Sequence, residues 1–294
     1  MAHIAIIGVG AIGGVAAALL ETTGRHKITL CTRRPLEILT VKTPGGMVSV
    51  KTENLTDPGL AAVADWVLVA TKAYDAKSTS PWLRTLCGKD TPLAVLQNGV
   101  EHRSHFATFA DPAMILPVVI DCPAERQANG SVLQRGPAQM RVENSRLGGL
   151  FAELFRGSAG EVVLTDDFLT AAWQKLCMNA AGAVSALLMK PAGVLQDDAL
   201  GQVVLDIVAE CVAVGKAEGA RLDEGIGRQI LERYRSQPPD SINSILADRM
   251  AGRPMEIDAR NGVIVRKGAQ YGIQTPVNKT IVALLAALAR SDGF

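Results

Sequence analysis

Apolar residues follow two rhythms along the chain, and the change of rhythm divides it. In the first half, short β-prone apolar runs alternate with stretches of helical spacing. Residues 4–7 read as a buried strand, 10–23 as a helix and 27–32 as a second strand. The run Trp66-Val67-Leu68-Val69-Ala70-Thr71 predicts a further strand, followed by a helix over 75–86 and a strand over 93–96. This alternation predicts an α/β unit built on a doubly wound parallel sheet. Between 114 and 142 the helical signal lapses. β-Prone runs at 115–120, 131–133 and 139–142, separated by Gly and Pro, predict an added β-meander.

From about residue 165 the apolar positions recur only at helical spacing. Segments 166–189, 197–218, 224–235, 256–271 and 276–290 predict helices. Asp166 or Asp167 is the expected N-cap of the first, Pro191 closes it, and Ser236-Gln237-Pro238-Pro239-Asp240 marks a break. The expected organisation is a sheet domain over 1–165 and an all-helical domain over 166–294.

Composition narrows the function. The chain has 294 residues, enough for two cores, with 48% hydrophobic and 20% charged residues and a net charge of +1. That balance offers no field for nucleic acid. Five cysteines (Cys31, Cys87, Cys122, Cys177, Cys211) are scattered and form no CxxC pair, which excludes a disulfide framework and a zinc cluster and fits a reducing cytoplasm. A strand beginning at His3 leaves no room for a secretory signal, and no apolar stretch reaches membrane-spanning length. The four histidines lack metal-ligand spacing; His102 and His105 read as exposed helix positions. The expectation is a cytoplasmic protein without metal, membrane or nucleic-acid partner.

The chemistry begins at Gly8-Val9-Gly10-Ala11-Ile12-Gly13, directly after a strand and opening a helix. Gly8 permits the tight turn, Gly10 lets the backbone approach a pyrophosphate, and Gly13 lets helix and strand pack closely. The helix N-terminus offers free N–H groups to the phosphates. Without that context a GxGxxG is equally a packing turn. At the end of the second strand, NAD sites carry an acid about 20 residues beyond the glycines. Here the chain reads Cys31-Thr32-Arg33-Arg34, with no acid until Glu37. Thr32 and Arg33 suit the 2′-phosphate of NADP(H), against the alternative of solvated surface arginines.

These residues, with Ala70-Thr71-Lys72-Ala73, Gln97-Asn98-Gly99-Val100, Trp173-Gln174-Lys175-Leu176, Asn179, Ser244, Asp248, Glu256-Ile257-Asp258, Asn261-Gly262 and the run from Tyr271 to Asn278, resemble the ketopantoate reductases (2-dehydropantoate 2-reductases) over nearly the whole chain. That family lies in the wider 6-phosphogluconate-dehydrogenase-like group. The resemblance implies a Rossmann-type domain followed by a helical domain, and NADPH-dependent reduction of a 2-oxo acid in pantothenate biosynthesis. It implies that Lys175 is the general acid, that Glu256 helps bind substrate and set up the site, and that Lys72 and Asn98 lie near the nicotinamide end of the cofactor. Asn98, Asn179 and Ser244 are the implied substrate contacts, and a homodimer the implied assembly. A ketone reduced by hydride leaves an alkoxide, which a positioned ammonium both stabilises and protonates. Asp258, Asn261 and Thr275-Pro276 read as architecture, and Cys177 as a buried small hydrophobe.

The pattern also departs from the family. Lys175, Asn179 and Ala183 fall at i, i+4 and i+8 of one expected helix face, and the family has asparagine where Ala183 and Ala192 stand. Two lost neutral hydrogen bonds are worth about 1–3 kcal/mol, on the order of 5- to 150-fold in binding. The expected reaction is reduction of ketopantoate to pantoate or of a related 2-oxo acid, and the two alanines point to a best substrate more apolar or bulkier than ketopantoate as the alternative. The competing readings are a dehydrogenase of the same build acting on another substrate class and a non-catalytic NADP(H) sensor.

Overall fold

A computed structural model of the chain describes residues 1–291. The chain divides into two compact units, residues 1–97 with 101–168, and residues 98–100 with 169–294.

The first unit is built on a six-stranded parallel sheet of β1 (His3–Ile7), β2 (Lys27–Cys31), β5 (Glu53–Leu55), β6 (Trp66–Val69), β7 (Leu93–Val95) and β8 (Ile115–Pro117). Its order is β5-β2-β1-β6-β7-β8, so the third strand in sequence lies at one edge and the direction of winding reverses at β1. This is the Rossmann arrangement, in which ligands bind beyond the carboxyl ends of the strands at the reversal. Alternation along β1 feeds two cores. Ile4 and Ile6 join the cluster around helix α1 (Ala11–Thr23), while Ala5 and Ile7 join the cluster of α2 (Ser80–Leu86) and α3 (His102–Phe106).

Residues 13–20 of α1 are all buried, because the helix is covered on its outer side as well. A four-stranded sheet supplies that cover: β10 (Ala124–Arg126), β11 (Val132–Gln134), β3 (Leu39–Thr43) and β4 (Gly46–Val50). The approach is close: a Cβ on Gly14 would lie 2.8 Å from Val132 Cγ2. A three-stranded sheet of β9 (Val119–Asp121), β12 (Gln139–Glu143) and β13 (Glu161–Thr165), with α4 (Arg146–Phe155), completes the unit. The segment expected to form a meander is therefore distributed. Its first run closes the parallel sheet as β8, β11 pairs with the distant β3, and β12 pairs with β9 and β13.

The second unit is all-helical among the described residues: α5 (Phe168–Ala181), α6 (Ala183–Leu188), α7 (Asp198–Ala217), α8 (Ile226–Arg235), α9 (Ser244–Met250), α10 (Val263–Gln270) and α11 (Pro276–Ser291). Helix α7 carries the core stripe Val204, Ile207, Val208, Cys211 and Val214, and Asp197 caps it by accepting from Leu200 N at 3.0 Å. The single helix expected over 166–189 is interrupted at Gly182, where a Cβ would lie 3.0 Å from both Tyr234 OH and Asn243 Nδ2. It ends at Leu188, with Met189 left-handed (φ 53°), before Pro191 is reached. The helix expected over 256–271 opens instead with a π turn, Asp258–Gly262, in which Gly262 N donates to Ile257 O at 3.0 Å.

Candidate active site

In the first unit the glycine-rich turn has the geometry its sequence implies. Gly8 has φ +91°, and a Cβ there would stand 2.7 Å from the Thr71 amide nitrogen. A Cβ on Gly13 would fall 2.0 Å from Gly8 O, so helix and turn meet at a distance only glycine allows. Gly10 is different: nothing stands within 4 Å of its would-be Cβ, and as N-cap of α1 it provides no side-chain cap. The first-turn N–H groups of α1 are thus left for an anion at an open glycine face, which fits a dinucleotide pyrophosphate. Arg126 of β10, which sequence reasoning passed over, donates to the Val9 carbonyl in this turn.

At the end of β2, Arg33 is exposed and pairs with Asp75 at 3.0 Å. Thr32 Oγ1 accepts from Asn54 Nδ2 at 2.7 Å and donates to Arg34 O at 2.7 Å, so the hydroxyl is held in place beside Arg33. Lys72 follows β6 and is half-buried. Gln97 Nε2 donates to Thr71 Oγ1 (2.8 Å) and Lys72 O (3.2 Å), tying the loops that leave β6 and β7. His102, expected to be exposed, is buried and bonds Gln97 O at 2.9 Å. His105 faces solvent beside Glu101 at 3.8 Å.

The second unit holds a polar cluster. Asn98 Nδ2 donates to Glu256 Oε2 at 2.8 Å, and Asn179 Nδ2 donates to Asn98 Oδ1 at 3.2 Å. Lys175 is half-buried on α5, one turn before Asn179. Glu256 is 4% exposed and sits just before the π turn. Arg260 lies inside that turn and was not singled out from sequence. It is 2% exposed, donates from Nη2 to Ser244 Oγ at 2.7 Å, and stands 4.0 Å from Glu256 Oε2. Asn98, Asn179, Ser244 and Glu256 are thereby joined through hydrogen bonds and one buried ion pair. Ala183 and Ala192, at 0% and 4% exposure, belong to the helical core.

Neighbouring polar residues are architectural. Asn261 Nδ2 donates to Ala180 O (3.2 Å) and Asn278 Oδ1 (2.9 Å), which fastens the π turn to α5 and α11. Cys177 and Cys211 are fully buried. Burial, with the adjacent Cys177, pushes the Cys211 thiol well above its ordinary range, the reverse of what a nucleophile requires. Among the described residues no His, Cys, Asp and Glu cluster could hold a metal, and no helix is long and apolar enough to cross a membrane.

A dinucleotide turn on a reversed parallel sheet, with an all-helical unit carrying a polar cluster, is the build of an NAD(P)-dependent oxidoreductase, and its relatives make it one acting on CH–OH groups. Residues 4–146 match the family model "Ketopantoate reductase PanE/ApbA", and residues 167–289 match its "C terminal" counterpart. The chain belongs to the ketopantoate reductase family. It is 48% identical to the 2-dehydropantoate 2-reductase of Caulobacter vibrioides over 98% of this chain and 100% of that one. The Mycobacterium tuberculosis enzyme of the same name is 38% identical, with 99% of each chain covered. The crystal structure of 2-dehydropantoate 2-reductase from Geobacter metallireducens superposes with a TM-score of 0.91 at 27% identity, covering 97% of this chain and 99% of that one.

Proposed function

We propose that the protein reduces a 2-oxo acid, ketopantoate, to the 2-hydroxy acid pantoate with NADPH as the hydride donor. The observation that carries this reading is the hydrogen-bonded row Asn179–Asn98–Glu256, with Lys175 one turn away on α5. The relatives' shared name supports the substrate, and Thr32 with Arg33, in place of an acid at the end of β2, supports NADPH over NADH.

Gly8, Gly10 and Gly13 would hold the pyrophosphate of NADPH, which when bound would supply the hydride for the ketone carbon. As the carbonyl oxygen becomes an alkoxide, the Lys175 ammonium stabilises it and passes it a proton; solvent then restores the ammonium. Asn98, held on both sides, gives the substrate end of the site a fixed amide. Ser244 bonds the substrate carboxylate. Ala183 and Ala192 supply no hydrogen-bonding side chain where the family carries asparagine, but both are buried in the helical core, so their effect on the choice between ketopantoate and a more apolar 2-oxo acid is indirect. Cytoplasmic location and a homodimer belong to the same reading.

The test is NADPH oxidation with ketopantoate beside a panel of 2-oxo acids, in wild type and Lys175→Ala. Turnover should be abolished in the variant, with NADPH still bound. A variant that turns over like wild type, or a wild type inert to every 2-oxo acid, would remove the reading.

A further inference from the structure

Arg260 is a buried cation whose hydrogen-bonding capacity is only partly used. Its Nε is buried and lacks a hydrogen-bond partner among the described residues. Its Nη1 reaches Asn179 O only at 3.5 Å. The carboxylate beside it, Glu256, stands 4.0 Å away and already accepts from Asn98. A guanidinium withdrawn from water at this depth is costly unless its charge is matched. Here the match is incomplete among the described residues.

The remaining bond sets the direction of a neighbour. A guanidinium can only donate, so in the 2.7 Å contact Ser244 Oγ is the acceptor. The hydroxyl hydrogen of Ser244 must then point elsewhere, and it meets no acceptor among the described residues. Ser244 itself is exposed while Arg260 lies behind it. The arrangement is a surface hydroxyl donor backed by a fixed positive charge, which is the recognition chemistry of an anion. It also offsets the repulsion that the buried Glu256 would exert on an incoming carboxylate.

We infer that Arg260 is a positioning residue that turns the Ser244 hydroxyl outward as a donor and supplies the charge by which the site selects a carboxylate-bearing substrate over a neutral one of the same shape. This rests on the 2-oxo acid reductase reading.

The experiment compares a 2-oxo acid with its matching 2-oxo amide in wild type, Arg260→Met, Arg260→Lys and Ser244→Ala, with folding followed by circular dichroism. Wild type should prefer the acid. Arg260→Met should lower turnover of both substrates, because Glu256 loses its buried partner, but should raise KM for the acid about 10- to 100-fold more than KM for the amide. Arg260→Lys should retain the acid preference with a raised KM, and Ser244→Ala should weaken the acid while leaving part of that preference. If Arg260→Met does not fold, Arg260→Lys and Ser244→Ala carry the comparison. Equal losses on acid and amide in Arg260→Met, or in the lysine variant, would assign Arg260 to the scaffold and overturn the inference. A wild type that reduces no 2-oxo acid overturns the functional reading and this inference with it, whereas an active wild type with an unchanged acid-to-amide ratio in the variants overturns the inference alone.

Discussion

Asn98 and Glu256 lie 158 positions apart in sequence and meet at 2.8 Å, with the asparagine amide donating to the carboxylate. Because Asn98 Oδ1 accepts from Asn179, both ends of this amide are committed, and its orientation follows from its partners. Asn98→Ala should lower kcat/KM for the 2-oxo acid by about 10- to 100-fold, since a buried carboxylate loses a charge-assisted bond. Asn98→Asp should be worse, because it sets one carboxylate against another. Steady-state kinetics on the two variants checks the ranking; equal activities would mean that the Glu256 contact is idle.

Two glycines of the same turn should respond differently to a methyl group. Gly10→Ala has open space for its Cβ and should keep the melting temperature while weakening NADPH binding. Gly13→Ala places its Cβ 2.0 Å from Gly8 O and must move backbone, so it should lose stability by about 1–3 kcal/mol together with cofactor binding. Thermal denaturation and fluorescence titration with NADPH separate the two outcomes.

Cofactor choice should rest on Arg33, which is paired with Asp75 at 3.0 Å and otherwise exposed. Removing a hydrogen bond to a charged group costs about 1.5–3 kcal/mol. Arg33→Ser should therefore raise the NADPH dissociation constant by roughly 10- to 150-fold and leave that for NADH unchanged. Equal effects on the two cofactors would show that Arg33 does not read the 2′-phosphate.

A fourth expectation concerns acid stability. Burial alone would raise the Glu218 carboxyl, but hydrogen bonds from Lys267 Nζ and Tyr271 OH, both at 2.7 Å, with the charge of Lys267, hold it below the ordinary value of 4.5. A carboxyl depressed in the folded state contributes stability that is full above its unfolded pKa and is lost as pH falls through the folded one. Glu218→Gln should destabilise the protein by about 1 kcal/mol at neutral pH, a modest figure for a pair still reached by solvent. The difference from wild type should vanish at pH values well below 4.5. Melting temperatures across that range test the sign.

Sequence revealed the features that depend on neighbours along the chain. Gly8, Gly10 and Gly13 were legible because strand, turn and helix are consecutive, and α7 because its apolar stripe is long and regular. What depended on distant partners was not. The runs at 115–120 and 131–133 read as β-prone, but nothing local says that β8 joins β7 or that β11 joins β3, and the three-residue β10 carries no pattern of its own. Gly182 lies within a stretch of helical spacing, and the reason for a glycine there is set by Tyr234 and Asn243, more than fifty positions away, closing against it. Arg260 differs in sequence from no other helical arginine; its burial against Ser244 and Glu256 arises only when the π turn places it there.

The three residues Asn98–Val100, lent to the helical unit from within the sheet unit's stretch of chain, bear on how such proteins can be recombined. A hybrid gene made by one crossover near residue 168 would take Asn98 from one parent and Glu256 with Asn179 from the other. The hydrogen-bonded row would then survive only where the two parents had arrived at the same residues. Variation in substrate preference should accordingly travel between lineages as whole genes, or as paired exchanges that carry the 98–100 loop with the helices, and chimeric enzymes will need both junctions.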